Sequence, residues 1–259
     1  MTCVPWSRSC APTRVIEKVM IEPDWPAPPG VDAVSTERTG GVSTGPYRSL
    51  NLAEHVGDAP AAVAANRDAL VSALGLATEP CWLEQVHGPD VLDLDSEPPG
   101  RADGAVTSDI ARVCAVLTAD CVPVLLAARD GSRVGAAHAG WRGLAAGVLA
   151  AAVARMGISP AQIQAWLGPA IGPASYEVDA GVRDAFVGPD AGTAACFVPT
   201  RPGHWHADLY GLARASLEKA GVGAVYGGNF CTFADSERFF SHRREAPCGR
   251  MATLIWRAG

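Results

Sequence analysis

The chain has 259 residues, enough for one large domain whose core is stable without disulfides. Hydrophobic residues make up 48% and charged residues 19%, and no apolar run reaches the length of about 18 residues that could span a bilayer. The net charge is −6, from 21 Lys and Arg against 27 Asp and Glu, and no dense basic run could neutralise a phosphate backbone. We therefore expect a globular protein that has no nucleic acid and no membrane among its partners.

Eight cysteines are scattered without paired spacing, which is typical of reduced thiols in a cytosol rather than of a disulfide framework. The chain before Met20 contains no apolar stretch like that of a signal peptide. These features predict a cytoplasmic protein. Residues 1–20 are expected to form a disordered extension, with translation starting at Met1 or Met20, and residues 21–259 to form a single domain.

The first predicted elements are a strand, a loop and a helix. Val31 to Arg38 alternates enough to predict a strand, and the glycine-rich stretch 39–46 after it predicts a loop with exposed backbone N–H groups. Asp58 is expected to cap a helix that ends at Gly75.

A hairpin is predicted in the middle of the chain, because Asp130-Gly131 lies between two apolar, β-rich runs. The two runs are Val122–Ala128 and Arg133–His138. With Asp130 and Gly131 as the turn, His138 pairs with Pro123. Pro123 and Cys121 are two positions apart and share a face of the sheet, so Cys121 and His138 are expected to lie diagonally, within reach of one ion.

Further periodic segments predict a chain that alternates helices and strands without a linker. We expect strands at 82–86, 162–167 and 251–256, and helices at 144–156 and 208–220. The stretch 168–173 predicts a rigid loop.

Three residues at the predicted strand ends could bind a metal ion: His87, Cys121 and His138. Zinc that performs chemistry typically has three protein ligands and one open position, whereas structural zinc has four ligands. The residues therefore suggest a single catalytic metal.

Two other interpretations fit the same residues. Cys121 could be an ordinary buried thiol, with the histidines capping strand ends. Alternatively, Cys121 could be the nucleophile of a hydrolase and His138 its base, which the hairpin geometry also permits.

Ordered motifs between residues 21 and 259 resemble the bacterial YfiH family, also called the laccase-domain or polyphenol oxidase family, which includes peptidoglycan editing factors. The motifs include Arg38-Thr-Gly-Gly-Val-Ser, Gln85-Val-His-Gly, Thr118-Ala-Asp-Cys-Val-Pro, His138-Ala-Gly-Trp-Arg-Gly, Gly168-Pro-Ala-Ile-Gly-Pro, Tyr176-Glu-Val and Ser241-His-Arg-Arg. The resemblance implies a single-domain α/β fold, a four-layer α/β/β/α sandwich with mixed sheets. It also implies zinc ligands that match His87, Cys121 and His138.

The same resemblance implies a purine nucleoside phosphorylase that acts on adenosine, inosine and methylthioadenosine, with adenosine deaminase activity as well. Its partners would be a nucleoside and phosphate, and a monomer and a dimer both remain open. Six histidines in all cannot supply the several copper centres of a multicopper oxidase. Copper remains possible as the single ion, because a site of two histidines and one cysteine accepts either metal.

The chemistry implied by the resemblance needs a proton carrier and a phosphate site. Asp120, beside Cys121, and Asp103 are the carboxylates predicted to carry the proton, although each could equally serve a turn. Arg38, Ser43 and the backbone amides near them, or Arg142 at the entry to the helix after His138, are predicted to hold phosphate, although an arginine could also be a solvated surface charge or make a packing contact.

Two rival functions follow from the same residues. A peptidoglycan-precursor editing enzyme would use the Cys/His/metal site to hydrolyse an amide, without needing phosphate. A non-enzymatic protein would instead use a structural zinc for assembly, and removal of that zinc would unfold the chain.

Overall fold

The computed structural model describes residues 20–258, which form a mixed α/β domain. The extension predicted at 1–20 lies outside the described residues, apart from Met20. The strands are β1 (Met20–Ile21), β2 (Val31–Thr36), β3 (Val91–Asp93), β4 (Gly104–Thr107), β5 (Val113–Thr118), β6 (Val122–Ala128), β7 (Val134–Ala139), β8 (Ile163–Leu167), β9 (Glu177–Asp179), β10 (Phe197–Pro199), β11 (His204–Ala207), β12 (Ala224–Gly227) and β13 (Met251–Arg257). The helices are α1 (Pro60–Leu74), α2 (Trp141–Ala145), α3 (Val148–Arg155), α4 (Ala180–Val187), α5 (Leu209–Lys219) and α6 (His242–Glu245), with short 3-10 turns at 45–47, 160–162, 173–175 and 191–196.

Two sheets make up the middle of the domain. The smaller sheet has the strand order β1-β2-β13-β5 and is antiparallel throughout. The larger sheet has the order β12-β8-β6-β7-β4-β3, and its outer pairs, β12 with β8 and β3 with β4, are parallel. A separate three-stranded sheet has the order β10-β11-β9. The larger sheet is therefore mixed, as the resemblance implied, whereas the other two sheets are antiparallel.

Hydrophobic clusters show how the layers stack. Apolar side chains from facing strands of the two large sheets, including Val116, Leu125 and Ile255, form one core between the sheets. Helix α1 covers the outer face of the smaller sheet through Leu70. Helices α2, α3 and α5 cover the outer face of the larger sheet. These observations confirm the four-layer α/β/β/α sandwich, in which each sheet buries both of its faces.

The predicted hairpin is confirmed in register but not in its turn. Strands β6 and β7 pair Pro123 with His138, as the parity argument required. The last closing hydrogen bond runs from the Ala128 N–H to the Arg133 carbonyl, so residues 129–132 form a four-residue loop. The Asp130 carboxylate accepts from the Ser132 N–H at 2.9 Å, which stabilises this wider loop.

Three local predictions were wrong. The helix predicted at 144–156 is two helices, α2 and α3, which separate at Gly147 with φ of 91°. Residues 82–86 form no strand, because this segment makes only isolated bridges such as Glu84 with Arg101. Asp58 does not cap α1, because its carboxylate accepts from Ser43 and Asn51 instead. Among the described residues, no helix is long and apolar enough to cross a membrane.

Candidate metal centre

Cys121 lies where the chain passes from one large sheet to the other. Strand β5 of the smaller sheet ends at Thr118, and strand β6 of the larger sheet begins at Val122. The crossing takes three residues, and Asp120 within it adopts a φ of 92°. This left-handed conformation is uncommon for a residue with a Cβ and is typical of functional sites.

His138 and His87 reach the same point from the larger sheet and from a loop. His138 lies near the end of β7, paired with Pro123 two residues beyond Cys121. His87 lies in the loop before β3 with a φ of 60°. Within residues 20–258, His87 and Asp120 are the two non-glycine residues with positive φ. Both unusual backbone conformations therefore occur at this site.

The donor atoms of His87, Cys121 and His138 all lie within 4.8 Å of one another. A tetrahedral zinc ion with bonds of about 2.0 to 2.3 Å would hold its ligand atoms roughly 3.3 to 3.8 Å apart. Small side-chain rotations therefore suffice to bring the three donors to one ion. His138 is 3% exposed, whereas His87 is exposed, so the cluster opens to solvent on one side. The donors fit a metal with one accessible coordination position.

Asp103 organises two of these three residues. Its carboxylate is fully buried and lies 2.8 Å from His138 Nδ1, which leaves Nε2 as the nitrogen that faces the cluster. The same carboxylate accepts the backbone N–H groups of Val86, His87 and Gly88 at 2.7 to 3.1 Å. Burial raises the pKa of Asp103, but the hydrogen bonds from His138 and Gly88 outweigh it, so the pKa is lowered. A single charged carboxylate thus positions the His138 ring and the His87 loop.

Cys121 and His138 shift each other's ionisation. Burial raises the pKa of the Cys121 thiol, but the adjacent His138 and His87 outweigh burial, so the pKa is lowered. Burial lowers the pKa of His138, whereas Cys121 and Asp103 raise it by a larger amount. The charged thiolate is the form that binds a metal. Both shifts therefore favour the charged, ligating form of Cys121.

Gly140 allows the ligands to approach each other, a role that the sequence analysis missed. A Cβ at this position would lie 2.9 Å from Cys121 Sγ and 3.1 Å from His87 Cδ2. Its φ of −73° is open to any residue, so the restriction is one of space. A glycine two residues after His138 was visible in the sequence, but its partner atoms come from other segments of the chain.

Both carboxylate oxygens of Asp120 accept hydrogen bonds from the protein. One oxygen accepts the Thr232 hydroxyl at 2.6 Å, and the other accepts the Arg243 N–H at 2.7 Å. Its backbone carbonyl accepts the Ile171 N–H at 2.9 Å. Asp120 thus joins three loops around the site. Proton transfer by Asp120 or Asp103 stays a prediction, and these contacts favour positioning roles for both.

Arg38 and Ser43 are engaged in structural contacts rather than gathered at the ligands. Arg38 pairs with Glu245 at 2.8 Å and also donates to backbone carbonyls, including that of Ser236. The Ser43 hydroxyl is buried and donates to Asp58 at 2.6 Å. Arg38 lines a separate cavity of about 430 Å³ to which none of the three ligands contributes. Their part in holding phosphate stays a prediction, and both side chains already donate to acceptors of the protein.

Arg142 is placed differently, because it is exposed and its guanidinium lies 4.5 Å from the centre of the Trp141 ring. Two further residues, Tyr176 and Arg243, also adjoin the site. The Arg243 guanidinium lies 5.0 Å from the Tyr176 ring centre. Burial and the charge of Cys121 raise the pKa of Tyr176 to about 12. The two residues occur in the segments Tyr176-Glu-Val and Ser241-His-Arg-Arg, but Arg243 is more than a hundred positions from Cys121 and no local pattern places them together.

The chain is similar to a described family and to several named proteins. A family model described as "multi-copper polyphenol oxidoreductase laccase" matches residues 32–258. The purine nucleoside phosphorylase of Xylella fastidiosa (strain 9a5c) is 54% identical over 248 residues, which cover 90% of this chain and 95% of that protein. The purine nucleoside phosphorylase YfiH of Escherichia coli (strain K12) is 51% identical over 239 residues, covering 92% and 98%.

Solved structures show the same fold. The crystal structure of a Neisseria meningitidis protein superposes with a TM-score of 0.89 at 46% identity, covering 93% of this chain and 99% of that one. The crystal structure of YlmD from Geobacillus stearothermophilus gives a TM-score of 0.85 at 34% identity, covering 93% and 97%.

Proposed function

This chain belongs to the family described as multi-copper polyphenol oxidoreductase laccase, and we propose that it is a purine nucleoside phosphorylase whose reaction depends on one metal ion. The observation that carries the proposal is the convergence of three donor atoms, from His87, Cys121 and His138, on one partly open point. Relatives that match nearly the whole chain at about half identity are named for this activity. The proposal extends that activity to this chain.

The donor set argues against multicopper oxidation despite the family's description. A multicopper oxidase requires a blue-copper site and a further copper cluster with many histidine ligands. Within residues 20–258, His87, Cys121 and His138 make up the one group of at least three potential ligands. This chain therefore supplies ligands for one ion.

We assign zinc as the preferred ion, because two imidazoles, one thiolate and an open position match the ligands of catalytic zinc. When bound, such an ion supplies a Lewis acid and lowers the pKa of water to about 7. His87, Cys121 and His138 would hold it, and Asp103 would keep the His138 ring in the ligating tautomer. Copper would accept the same ligands, so copper in the purified protein would not by itself indicate an oxidase.

Adenosine, inosine and methylthioadenosine are the proposed substrates, with deamination of adenosine as a second activity of the same centre. Zinc deaminases also use histidine and cysteine ligands, but they require a separate carboxylate as general acid and base. Here the oxygens of Asp103 and Asp120 are already occupied by protein donors. We therefore expect phosphorolysis to be the faster reaction.

The proposal is tested by metal content and by products formed from adenosine with and without phosphate. We expect near-stoichiometric zinc, and free adenine only when phosphate is present. Cys121→Ala should lose both the metal and the activity, whereas Cys196→Ala, which changes a thiol outside the metal cluster, should retain both. If adenosine stays intact while the metal-loaded protein cleaves a peptidoglycan precursor at an amide bond, the editing hydrolase replaces this proposal.

A further inference from the structure

Three polar side chains near the metal centre have hydrogen-bonding capacity that the protein does not use. Among residues 20–258, the Arg142 guanidinium and the Tyr176 hydroxyl have no hydrogen-bond partner. Arg243 uses one guanidinium N–H, which donates to the Glu177 carbonyl at 2.8 Å. Neither Arg142 nor Arg243 has a carboxylate of the described chain within 4.0 Å. Other arginines, such as Arg38 and Arg201, are paired with carboxylates at 2.8 Å.

These donors adjoin Cys121 rather than lying at random on the surface. The backbone N–H of Arg243 donates to the carboxylate of Asp120, the residue before Cys121, so the main chain of Arg243 is fixed beside the cluster. Arg142 lies two positions after Gly140, where an added Cβ would meet the Cys121 and His87 side chains. Trp141, on whose ring Arg142 lies, lines the same groove as Tyr176 and Arg243. The two guanidinium groups and the phenol are therefore joined through one surface that begins next to Gly140.

Ring contacts hold both guanidinium groups in position. Arg142 lies over Trp141, and Arg243 lies over Tyr176. Both rings pack against the core of the larger sheet, so each arginine rests on a fixed surface. Trp141, Tyr176 and Arg243 also line an open groove of about 370 Å³, and Arg142 adjoins it through the Trp141 ring. The groove also contains Asp179 and Glu177, and the Glu177 carboxylate is paired with Arg201 at 2.8 Å. Pre-positioned, unpaired guanidinium groups suit recognition of a phosphate oxyanion.

We propose that Arg142 and Arg243, together with the Tyr176 hydroxyl, form the phosphate subsite of this enzyme. The inference rests on the proposed phosphorolysis, which needs phosphate as a co-substrate. This subsite differs from the one predicted at Arg38 and Ser43, whose side chains donate to Glu245 and Asp58. Arg142 was one of the residues suggested by the sequence, and the structure adds Arg243 and Tyr176.

The first test measures the KM for phosphate and for adenosine in Arg142→Met and Arg243→Met. We expect the phosphate KM to rise about tenfold or more in each variant, as loss of a charge-assisted hydrogen bond implies, and the adenosine KM to change less than about twofold. Arg243→Lys keeps the charge but not the planar fork, so its phosphate KM should be intermediate. Arg112→Met is the matched control, because Arg112 precedes β5 at the end opposite Cys121 and should leave both KM values unchanged.

The second test measures binding of inorganic phosphate alone to the metal-loaded protein by phosphorus NMR line broadening. Broadening should weaken in Arg142→Met and Arg243→Met but not in Arg112→Met, with metal content equal in all four proteins. If both arginine variants bind phosphate like the wild type, the subsite is overturned, whether or not adenosine is cleaved. If the wild-type protein binds phosphate through these arginines yet cleaves no nucleoside, the proposed function fails and the anion subsite stands.

Discussion

At the scale of single residues, the structure separates groups that bind from groups that position. His87, Cys121 and His138 offer free donor atoms to one point, whereas Asp103 offers none. Its two oxygens serve four hydrogen bonds, one to a ligand ring and three to the backbone around another ligand. Residues of this kind influence a metal site through the ligands they hold.

Replacing Asp103 with Asn should therefore weaken metal binding without removing a ligand. The amide keeps one acceptor oxygen but presents N–H groups to backbone N–H donors, so His138 and the His87 loop lose their shared anchor. We expect metal affinity to fall about 10- to 100-fold and the free energy of unfolding to fall by about 1 to 3 kcal/mol. Competition with a chromophoric chelator and urea unfolding measure the two effects.

Asp95→Asn is the control for that variant. Asp95 also accepts hydroxyl and backbone hydrogen bonds, from Thr107 and Ser108, but beyond the opposite end of β4. It should lose stability while keeping its affinity for the metal. Equal metal affinity in Asp103→Asn and wild type would show that the carboxylate does not position the ligands.

The three residues that the structure brings together as a candidate metal centre could be proposed from the sequence, whereas the hydrogen bonds of Asp103 and Asp120 around them could not. A histidine or cysteine carries its chemistry in its side chain, so His87, Cys121 and His138 could be proposed individually. The positioning roles of Asp103 and Asp120 depend on which backbone N–H groups donate to their carboxylates, and those groups belong to distant segments of the chain. No local pattern contains that information.

At the scale of elements, the turn from β7 into α2 brings the ligands together because it contains no side chain at Gly140. The hairpin register before this turn was predictable, since it depends on a local Asp-Gly signal and on parity. The break between α2 and α3 was not, because the alanine-rich stretch favours one continuous helix. Tertiary packing overrides that preference at Gly147.

Gly140→Ala should damage the metal centre through contact alone. The new methyl group would lie 2.9 Å from Cys121 Sγ, and the backbone angles at this position suit alanine. We expect at least a tenfold loss of metal affinity, with a decrease of about 1 to 3 kcal/mol in unfolding free energy from overpacking. Metal titration and chemical unfolding measure these effects.

Gly223→Ala provides the matched control, since a Cβ there meets nothing within 4 Å. Metal affinity in this variant should equal that of the wild type. Unchanged affinity in Gly140→Ala would mean that the Cys121 and His87 side chains can move apart and still bind, contrary to the packing described here.

At the scale of the whole molecule, the four layers bury three apolar surfaces: the outer face of each large sheet, which helices cover, and the interface between the two sheets. Such a core does not need a metal to fold, in contrast to small zinc domains. The layered architecture followed from the resemblance to a known family. Periodicity alone located many of the strands and helices but not the order of strands in each sheet, since β13 pairs with β2 across more than two hundred positions.

Removing the metal with a chelator should leave the protein folded. We expect an unchanged far-ultraviolet circular dichroism spectrum and a single unfolding transition. The melting temperature should fall by about 5 to 10 °C, because ligand at a hundred times its Kd adds about 2.7 kcal/mol. Cys121→Ala should have the melting temperature of the chelated wild type, and adding the chelator should not change it. Loss of secondary structure on chelation would instead support a structural zinc and the assembly role.

The position of β13 between β2 and β5 also has a consequence for biosynthesis. Until residues 251–257 have left the ribosome, β2 and β5 lack the strand that lies between them in the folded sheet. The nascent chain therefore presents unpaired edges during most of its translation, which are sites for chaperones and for aggregation. The smaller sheet can therefore close only after its central strand β13 has been synthesised.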